Sequence, residues 1–379
     1  MKKIDQFDIR DKSCLTNKTV TERAISIKNF PVFFGCVTHP YEDDLYTDMD
    51  FFIEKETGLI QLNKLIPIDV LYQEQHAFGF GLSWANHYDA FSQFISKNNV
   101  TNVVEIGGAT DKLALRLIDN TKNYTIIEPN PSKNIDNRIK IIKSFFENLD
   151  VDLSNYDSVI FSHVLEHAYD PSRFLGDLYR KINENAKVYF SYPQLETWLE
   201  KKHTNSLNFE HNLFLTEKHL DVLLNNIGFV ITEKYKYKDH SVFYNLEKSV
   251  TIKKLKYPNL YTSHLKLINE YKSYHIQEVQ RLNKIISSNK YEQIYLFGAH
   301  IFSQILIVFG LDISKIEFIL DNSVQKQNKR LYGTTLTVRS PSILVNKKNV
   351  LVILKAANYN SEIKEDILNN INDNIEFLE

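Results

Sequence analysis

The chain has 379 residues, with 45 basic and 47 acidic side chains and a formal net charge of −2. Because this charge is near neutral and well mixed, no basic face is implied, and nucleic acid is not expected as a partner. The hydrophobic content of 43% is typical of soluble globular proteins, and the length suits two or three domains. The chain starts without a signal-peptide pattern and has no apolar run that could span a bilayer, so we expect a cytoplasmic protein without a membrane partner.

The first region, residues 1–95, is predicted to be a small, irregular domain. Short strand-like pieces occur at 24–27 and 59–62, between scattered turns. The chain has two cysteines, Cys14 and Cys36, and both fall in this region. Two cysteines cannot form a disulfide framework, which agrees with the cytoplasmic expectation.

The second region, residues 96–250, alternates strands with helices. Such alternation predicts a parallel sheet wrapped by helices, with a ligand at the carboxyl ends of the strands. Only a short gap separates the last two strands, which predicts an antiparallel hairpin at the sheet edge. The predicted strands are 102–106, 124–128, 138–142, 157–162, 186–192, 229–234 and 241–246.

The third region, residues 251–379, begins with a long helix at about 263–288, whose apolar residues form one stripe. We interpret this helix as a packing element that links two domains. Strands then alternate with helices again, with buried strands at 293–297, 316–320 and 350–354. The pattern predicts a second, smaller α/β domain.

A glycine turn ends the first strand of the second region. The strand runs through Glu105 and Ile106 directly into Gly107 and Gly108. Glycines at such a turn let backbone N–H groups approach a ligand that a side chain would block. About twenty residues later the next strand ends in Glu128, where an acid can accept hydrogen bonds from ribose hydroxyls. Together these features predict a nucleotide-type cofactor.

Motifs along the whole chain resemble the three-domain sugar C-methyltransferases, bacterial enzymes that methylate a nucleotide-linked keto-deoxysugar with S-adenosylmethionine. The second region carries matching segments at 105–107, 128–130 and 161–167, the last reading Phe-Ser-His-Val-Leu-Glu-His. The third region carries Leu-Phe-Gly-Ala-His at 296–300 and Leu-Asp-Asn-Ser at 320–323. The resemblance implies an α/β protein with a zinc-binding-like N-terminal domain, a class I Rossmann-like methyltransferase domain and a C-terminal Rossmann-like domain.

For the cofactor, the resemblance favours S-adenosylmethionine over NAD. It implies that Glu128 holds the ribose and that Phe145 covers one face of the adenine. Asp111 stands where the family usually has a third glycine, and its side chain is suited to capping the following helix. The predicted cofactor-binding residues are Glu105, Gly107, Gly108, Glu128, Ser144, Phe145 and Ser162.

The resemblance also predicts an acid–base site. Glu210 and His211 match the family's Glu-His pair, and His167 matches its histidine after the fourth strand. His163 is a fourth catalytic candidate, although a structural histidine at a strand end explains it equally well. A histidine is suited to proton transfer because its unperturbed pKa lies near neutrality.

Two family tyrosines on the substrate side are not matched in this chain. Asn208 occupies the place of one, and the other falls near His76 or Phe78. We therefore predict that His76, Phe78 and Asn208 contact the substrate. Trp84 and His87 lie close by in the sequence and are interpreted as packing residues.

The zinc-binding pattern of the family is degenerate here. Of its four cysteines only Cys14 remains, whereas Asn17, Glu54 and Thr57 occupy the other places. Structural zinc needs three or four Cys or His ligands, so we predict no zinc and no other metal. Burial of apolar residues is expected to hold the domain instead. These residues are Phe30, Val32, Phe33, Phe34, Phe51 and Phe52.

The resemblance implies carbon methylation of a nucleotide-linked keto-deoxysugar, and two alternatives stay open. Methylation of a sugar hydroxyl or a capsule-type acceptor requires only a positioned base. A protein that binds the cofactor or a sugar nucleotide without turnover is an alternative of another class. Nucleic-acid methylation is disfavoured because Ser162 and His163 replace the Asn/Asp-Pro-Pro run expected there. We expect a small-molecule acceptor and a monomer or small homo-oligomer.

Overall fold

Three regions, each with its own sheet, follow one another along the chain. The computed structural model describes residues 2–4, 6–72, 81–249, 251–356 and 359–379. The predicted substrate residues His76 and Phe78 lie outside these ranges. Within the ranges, no helix combines the length and apolar character needed to cross a membrane.

A long antiparallel strand pair organises the N-terminal region. Glu22–Pro31 pairs with Leu45–Ile53, which also pairs with Ile60–Leu62. The short strands Lys2–Lys3 and Leu213–Phe214 complete the sheet, which is more regular than the sequence suggested. Alternate residues face the core because successive side chains on a strand point to opposite faces. Of the six residues expected to hold the domain, three are buried (Phe30, Val32, Phe51) and three are partly buried (Phe33, Phe34, Phe52).

A buried carboxylate joins the two loops that carry zinc ligands in the resembling family. Glu54 is 3% exposed and accepts hydrogen bonds from Ser13 Oγ (2.7 Å), Thr57 Oγ1 (2.6 Å) and Thr16 Oγ1. These hydroxyls, with one carboxylate and the Cys14 thiol nearby, do not fit the donor set of structural zinc. Hydrogen bonds to Glu54 therefore connect the two loops in which the resembling family has its zinc ligands.

A seven-stranded sheet forms the middle region, and its strands agree closely with those predicted. Only Ser241–Lys248 runs against the others, forming the predicted antiparallel hairpin with Phe229–Tyr237 at the edge. The interior strands are apolar on both faces, as expected for parallel strands covered by helices. In spatial order the strands are Ile139–Ile142, Asn123–Ile127, Asn102–Ile106, Ser158–Ser162, Lys187–Pro193, Ser241–Lys248 and Phe229–Tyr237.

Helices cover both faces of this sheet. Leu82–Ser96 packs on one face through Phe91, Phe94 and Ile95, although the sequence boundary assigned most of this helix to the N-terminal domain. Pro171–Lys181 packs on the other face and is capped at its start by a side chain of the preceding residue. Further helices are Ile68–Leu71, Ala114–Leu117, Leu195–Glu200 and Glu217–Ile227.

The C-terminal region has the second α/β fold expected from the sequence. The helix Tyr261–Ser287 links it to the middle region, and the helices Ile301–Val308 and Asn360–Asn370 pack on a parallel sheet. In spatial order the strands are Val338–Arg339, Ile316–Leu320, Gln293–Phe297, Val350–Leu354 and Ile375–Leu378.

A buried ion pair joins the N-terminal and C-terminal regions. Asp44 is fully buried and binds Arg330 through both guanidinium Nη atoms, at 2.6 and 2.8 Å. The backbone N–H of Gly333 also donates to Asp44 (2.7 Å). The strands Cys36–Val37 and Arg330–Leu331 pair beside this contact. These contacts attach the N-terminal region to the C-terminal region.

We expect Glu54→Gln to lower the free energy of unfolding by about 2–3 kcal/mol, because charge-assisted hydrogen bonds to a buried acceptor are weakened. Chemical denaturation followed by circular dichroism measures the change. Glu56→Gln is the matched control, since Glu56 forms an exposed ion pair with Lys18 whose loss should cost less than about 0.5 kcal/mol. Equal effects of the two substitutions would contradict the role assigned to Glu54.

Candidate active site

A single cleft of about 790 Å³ opens at the carboxyl ends of the central strands, where the alternating pattern predicted a ligand. The loops that follow these strands form most of its wall. Phe34 from the N-terminal region and Gly298 and Lys326 from the C-terminal region also line it. All three regions of the chain therefore contribute to the same cavity, which falls within the size range of small-molecule sites.

Both glycines of the predicted turn are required by the local geometry. Gly107 has a φ of +75°, and a Cβ there would lie 2.4 Å from Val164 Cγ2. A Cβ on Gly108 would lie 2.9 Å from Glu105 Cδ. Glu105 accepts a hydrogen bond from Tyr124 OH (2.6 Å), and burial raises the pKa of its carboxyl to about 7. Glu105 thus supports the turn, while both glycines line the cleft.

The next two strand ends supply the other predicted cofactor residues. Glu128 is 7% exposed, lines the cleft and accepts a hydrogen bond from the backbone N–H of Asn130 (2.9 Å). Burial raises the pKa of this carboxyl. Phe145 lines the same wall and meets the ring of Tyr72 edge-on at 6.2 Å, while Ser144 Oγ donates to the Phe145 carbonyl (3.0 Å). An acid and an aromatic ring therefore face the cleft beside the glycine turn.

The Ser162 hydroxyl lies near two interior side chains, which the sequence did not suggest. Its hydroxyl lies 2.8 Å from Ser191 Oγ and 3.2 Å from His87 Nε2, within hydrogen-bond distance of both. Ser162 still lines the cleft, but its polar atom belongs to an interior network. A hydrogen bond from the Ser162 hydroxyl to a cofactor would therefore compete with its hydrogen bonds to Ser191 and His87.

Asp111 does not cap the helix after the glycine turn, so that prediction is wrong. The helix Ala114–Leu117 begins after Leu113, which makes no side-chain cap. The carboxylate of Asp111 instead accepts a hydrogen bond from the backbone N–H of Asp136 (3.0 Å). The backbone carbonyl of Asp111 does accept a hydrogen bond from the N–H of Leu115 (2.8 Å), but its carboxylate bonds to Asp136 and so connects two loops.

An acid–base cluster occupies the cleft wall where the predicted catalytic residues meet. His167 Nδ1 lies 3.1 Å from Tyr72 OH and 3.7 Å from Glu210 Oε2, and the rings of His167 and His211 are 5.3 Å apart. Burial raises the pKa of Glu210 to about 8 and that of Glu166 to about 7. Burial also lowers the pKa of both histidines. Near pH 7 the cluster therefore holds a protonated acid beside neutral imidazoles, as general acid–base chemistry requires.

Asn212 positions the two loops that carry this cluster. Its Nδ2 lies within hydrogen-bond distance of three successive backbone carbonyls, those of Glu166 (3.3 Å), His167 (3.1 Å) and Ala168 (3.2 Å). Because Asn212 directly follows His211, it holds the Glu210–His211 loop against the His167 loop. The next residues, Leu213–Phe214, then join the N-terminal sheet.

Arg10 of the N-terminal region binds Asn212 through two hydrogen bonds. Its two Nη atoms donate to Asn212 Oδ1 (2.8 Å) and to the Asn212 carbonyl (2.7 Å). Its Nε donates to the carbonyl of Leu62 and its Nη1 to that of Tyr169, both at 3.0 Å. The planar guanidinium thus joins three segments through four hydrogen bonds of fixed geometry.

Asn208, predicted to contact the substrate, uses its side chain to shape the same loop. Its Oδ1 accepts hydrogen bonds from the backbone N–H groups of Glu210 (2.9 Å) and His211 (2.8 Å). Asn208 also lines the cleft, although it is 4% exposed. The residue at this position therefore orients the Glu-His pair.

A second cluster contains three histidines, His87, His163 and His240. His163 lies here, with a φ of +54°, while His167 belongs to the acid–base cluster. His163 Nε2 and His240 Nδ1 lie 2.7 and 2.6 Å from Ser241 Oγ, and His87 Nδ1 lies 3.4 Å from the same oxygen. His163 and His240 line the cleft, and His87 lies behind them.

Sequence reasoning missed four residues of these clusters. Glu166 lies between two predicted histidines in the 161–167 motif, so its position was a usable signal. Tyr72 belongs to the aromatic segment in which a tyrosine was sought, but it precedes the expected positions. His240 and Ser241 occupy a hairpin turn and carried no sequence signal, since only folding brings them to the strand ends.

Two family models match the chain. One, described as a methyltransferase domain, matches residues 82–234, and the other, described as a C-methyltransferase C-terminal domain, matches residues 233–378. The chain therefore contains a methyltransferase domain, and this domain has the Rossmann-like α/β fold that the sequence predicted. These matches favour an enzyme over a non-catalytic binding protein.

Solved structures resemble part of the chain. The PH0226 protein of Pyrococcus horikoshii OT3 shares 12% identity over 45% of this chain and 92% of its own, with a TM-score of 0.39. Magnesium protoporphyrin IX methyltransferase of Synechocystis PCC 6803 with bound SAH shares 14% sequence identity. The match covers 46% of this chain and 90% of that protein, with a TM-score of 0.36. The mitomycin 7-O-methyltransferase MmcR shares 15% sequence identity, with a TM-score of 0.36. The match covers 43% of this chain and 54% of that protein, which is about half of its length. No curated protein matches the sequence.

We expect Arg10→Lys to lower the free energy of unfolding by about 2–4 kcal/mol, because a single ammonium cannot reach all the carbonyls that the guanidinium bridges. Thermal and chemical denaturation measure the loss. Arg23→Lys is the matched control, since Arg23 is about half exposed and pairs with Asp50 only at 3.6 Å. A small and equal change in both variants would show that Arg10 is not the joint between these segments.

Proposed function

We propose that the chain transfers a methyl group from S-adenosylmethionine to a carbon beside the ketone of a nucleotide-linked keto-deoxysugar. The observation that carries the proposal is the acid–base cluster of Tyr72, His167, Glu210 and His211 in the same cleft as the glycine turn. The match of residues 233–378 to a C-methyltransferase C-terminal domain supports carbon as the acceptor atom.

In this proposal the cofactor lies along the glycine turn. Bound S-adenosylmethionine supplies an electrophilic methyl group on a positively charged sulfur. The backbone at Gly107 and Gly108 admits it without a clash, and the Glu128 carboxylate accepts hydrogen bonds from its ribose hydroxyls. Phe145 packs against the adenine. These contacts orient the methyl group toward the acid–base cluster.

The acid–base cluster prepares the acceptor. His211 is neutral near pH 7, and its Nδ1 is buried with no hydrogen-bond partner in the part of the chain that the structure describes. In the proposed reaction His211 removes the proton beside the ketone, and protonated Glu210 donates a hydrogen bond to the developing enolate oxygen. Tyr72 holds the imidazole of His167 beside them. The enolate carbon would then form a bond to the methyl carbon as the S–CH3 bond breaks, its electron pair staying on the sulfur of departing S-adenosylhomocysteine and the abstracted proton on His211.

The C-terminal region is proposed to hold the nucleotide part of the acceptor. Gly298 follows its first strand with a φ of +104°, and Asp321 follows the second. Asp321 accepts hydrogen bonds from the backbone N–H of Ala299 and from Lys326 Nζ, both at 2.9 Å. Lys326 lines the cleft and gives this wall a cation suited to a diphosphate.

Transfer to a sugar hydroxyl is the second candidate. The observation that favours it is Asn208, whose side chain serves the backbone of the Glu-His loop where the resembling family has a tyrosine. Loss of that phenol removes one hydrogen-bond donor for an enolate, whereas a hydroxyl acceptor needs only a base. Carbon transfer is favoured because Tyr72 supplies a phenol to the same cluster.

We expect Glu128→Gln to weaken S-adenosylmethionine binding by about 10- to 100-fold, since hydrogen bonds to a charged acceptor contribute about 1.5–3 kcal/mol. Isothermal titration calorimetry measures the affinity. Glu362→Gln is the matched control because Glu362 also lines the cleft but lies on the helix Asn360–Asn370 of the C-terminal region. Unchanged affinity in Glu128→Gln would remove the carboxylate from the ribose site.

We expect His211→Gln to lower kcat on a nucleotide keto-deoxysugar by about 10²- to 10⁴-fold, the usual contribution of a general base, without changing cofactor affinity. Methyl transfer is measured by mass spectrometry over a panel of nucleotide keto-sugars and their hydroxy counterparts. Solvent deuterium exchange beside the carbonyl reports proton removal directly. His203→Gln, which removes another histidine of the cleft wall, is the control.

Three results would decide between the candidates. Exchange that depends on His211 supports carbon transfer. Methylation of hydroxy-sugars without exchange on any keto-sugar would favour oxygen transfer. Full exchange in His211→Gln would assign the base elsewhere in the cluster.

A further inference from the structure

Three imidazoles from distant parts of the chain present a ring nitrogen to one point at the cleft wall. His87 lies on the helix Leu82–Ser96, while His163 follows the strand Ser158–Ser162 and His240 occupies the turn of the edge hairpin. One ring nitrogen of each lies within 4.8 Å of those of the others. The common point is marked by Ser241 Oγ, which lies 2.6, 2.7 and 3.4 Å from the nitrogens of His240, His163 and His87.

The spacing of the rings fits a single tetrahedral ion. Imidazoles bound to one Zn²⁺ at about 2.0–2.1 Å place their ring centroids about 5 Å apart. The centroids of His87 and His163 are 5.3 Å apart, those of His87 and His240 4.9 Å, and those of His163 and His240 5.2 Å. The three distances are nearly equal, as expected for three ligands arranged around one centre.

The outer nitrogens of two of these rings have polar neighbours that would fix their orientation. His163 Nδ1 lies 3.1 Å from Glu166 Oε1, and His87 Nε2 lies 3.2 Å from Ser162 Oγ. Metal-bound histidines commonly have such a carboxylate or hydroxyl partner on the nitrogen that faces away from the ion. Glu166 is fully buried, and no other residue of the described ranges donates a hydrogen bond to its carboxylate oxygens. Its role as an outer partner of His163 would account for this buried acid.

We propose that His87 Nδ1, His163 Nε2 and His240 Nδ1 form a Zn²⁺ site, with the fourth position toward the cleft. Three histidines with one open position are the ligand set of catalytic zinc, whereas Mg²⁺ prefers oxygen ligands. The Ser241 hydroxyl, whose oxygen lies at the common point of the three nitrogens, turns aside when the ion binds. This site departs from the sequence expectation of no metal, because its ligands are separated by more than 70 residues and form no short motif.

The role of this ion rests on the proposed function. Zn²⁺ at this point would lie across Glu166 from the acid–base cluster, since Glu166, His167 and His211 also converge within 4.8 Å. A Lewis acid there stabilises the negative oxygen of an enolate or alkoxide while the acid–base cluster moves the proton. Binding of the ion can be measured without any acceptor, so its failure is distinguishable from failure of the proposed function.

The test uses the full chain, stripped with a chelator and titrated with ZnCl₂ by calorimetry, with bound zinc counted by mass spectrometry. We expect one ion per chain in the native sequence and at least a 100-fold weaker affinity in both His87→Gln and His240→Gln. Co²⁺ in place of Zn²⁺ should give the intense visible absorption of tetrahedral nitrogen ligation. Glu54→Gln and His203→Gln are controls that should keep the ion, since they alter the degenerate N-terminal position and another cleft histidine.

Four outcomes would overturn the proposal. No zinc uptake by the native chain would leave Ser241 as the centre of a hydrogen-bonded histidine cluster only. Uptake that survives both histidine substitutions would place the ion elsewhere. Loss of uptake in Glu54→Gln would assign it to the N-terminal loops, and loss in His203→Gln would indicate a different cleft site. If His87→Gln fails to fold, the Co²⁺ spectrum of the native chain and the zinc affinity of His240→Gln still decide the question.

Discussion

The guanidinium of Arg10 is the contact on which the arrangement of the cleft depends. It donates to the carbonyls of Leu62 and Tyr169 and to two oxygens of Asn212, and so meets the N-terminal sheet, the His167 loop and the Glu210–His211 loop at once. A buried cation is costly unless it is hydrogen-bonded, and here four neutral carbonyl oxygens accept hydrogen bonds from it. The N-terminal region thereby acts as a structural support for the acid–base cluster.

The N-terminal region also has a buried cross-link of its own. Glu54 and its three hydroxyl donors, Ser13, Thr16 and Thr57, join two of its loops. The buried pair of Asp44 and Arg330 adds a second attachment on the C-terminal side. Because the region is fixed at both ends, its internal cross-link is less critical than in a domain that folds alone.

Local chemistry made much of the fold and the position of the cleft predictable. Apolar runs with turn signals located the strands, and Gly107 with Glu128 marked two strand ends that line the cleft, because the turn and the acid are each visible in the local sequence. Contacts between distant residues were not predictable in this way. Arg10 and Asn212 are 202 positions apart, and His87, His163 and His240 meet only because their three elements end at one point. Asp111 was misjudged because its suitability as a cap did not reveal its distant partner, the backbone N–H of Asp136.

The strand Leu213–Phe214 has a consequence for synthesis of the chain. Its partner Ile60–Leu62 leaves the ribosome about 150 residues earlier. One edge of that strand therefore stays unpaired until Leu213–Phe214 has been synthesised. The pairing of Cys36–Val37 with Arg330–Leu331 imposes a still longer delay on the same region. Exposed strand edges invite pairing with other chains, so the N-terminal sheet is the part of this enzyme most exposed to aggregation during translation. Fragments that end before residue 214 would keep that edge open permanently.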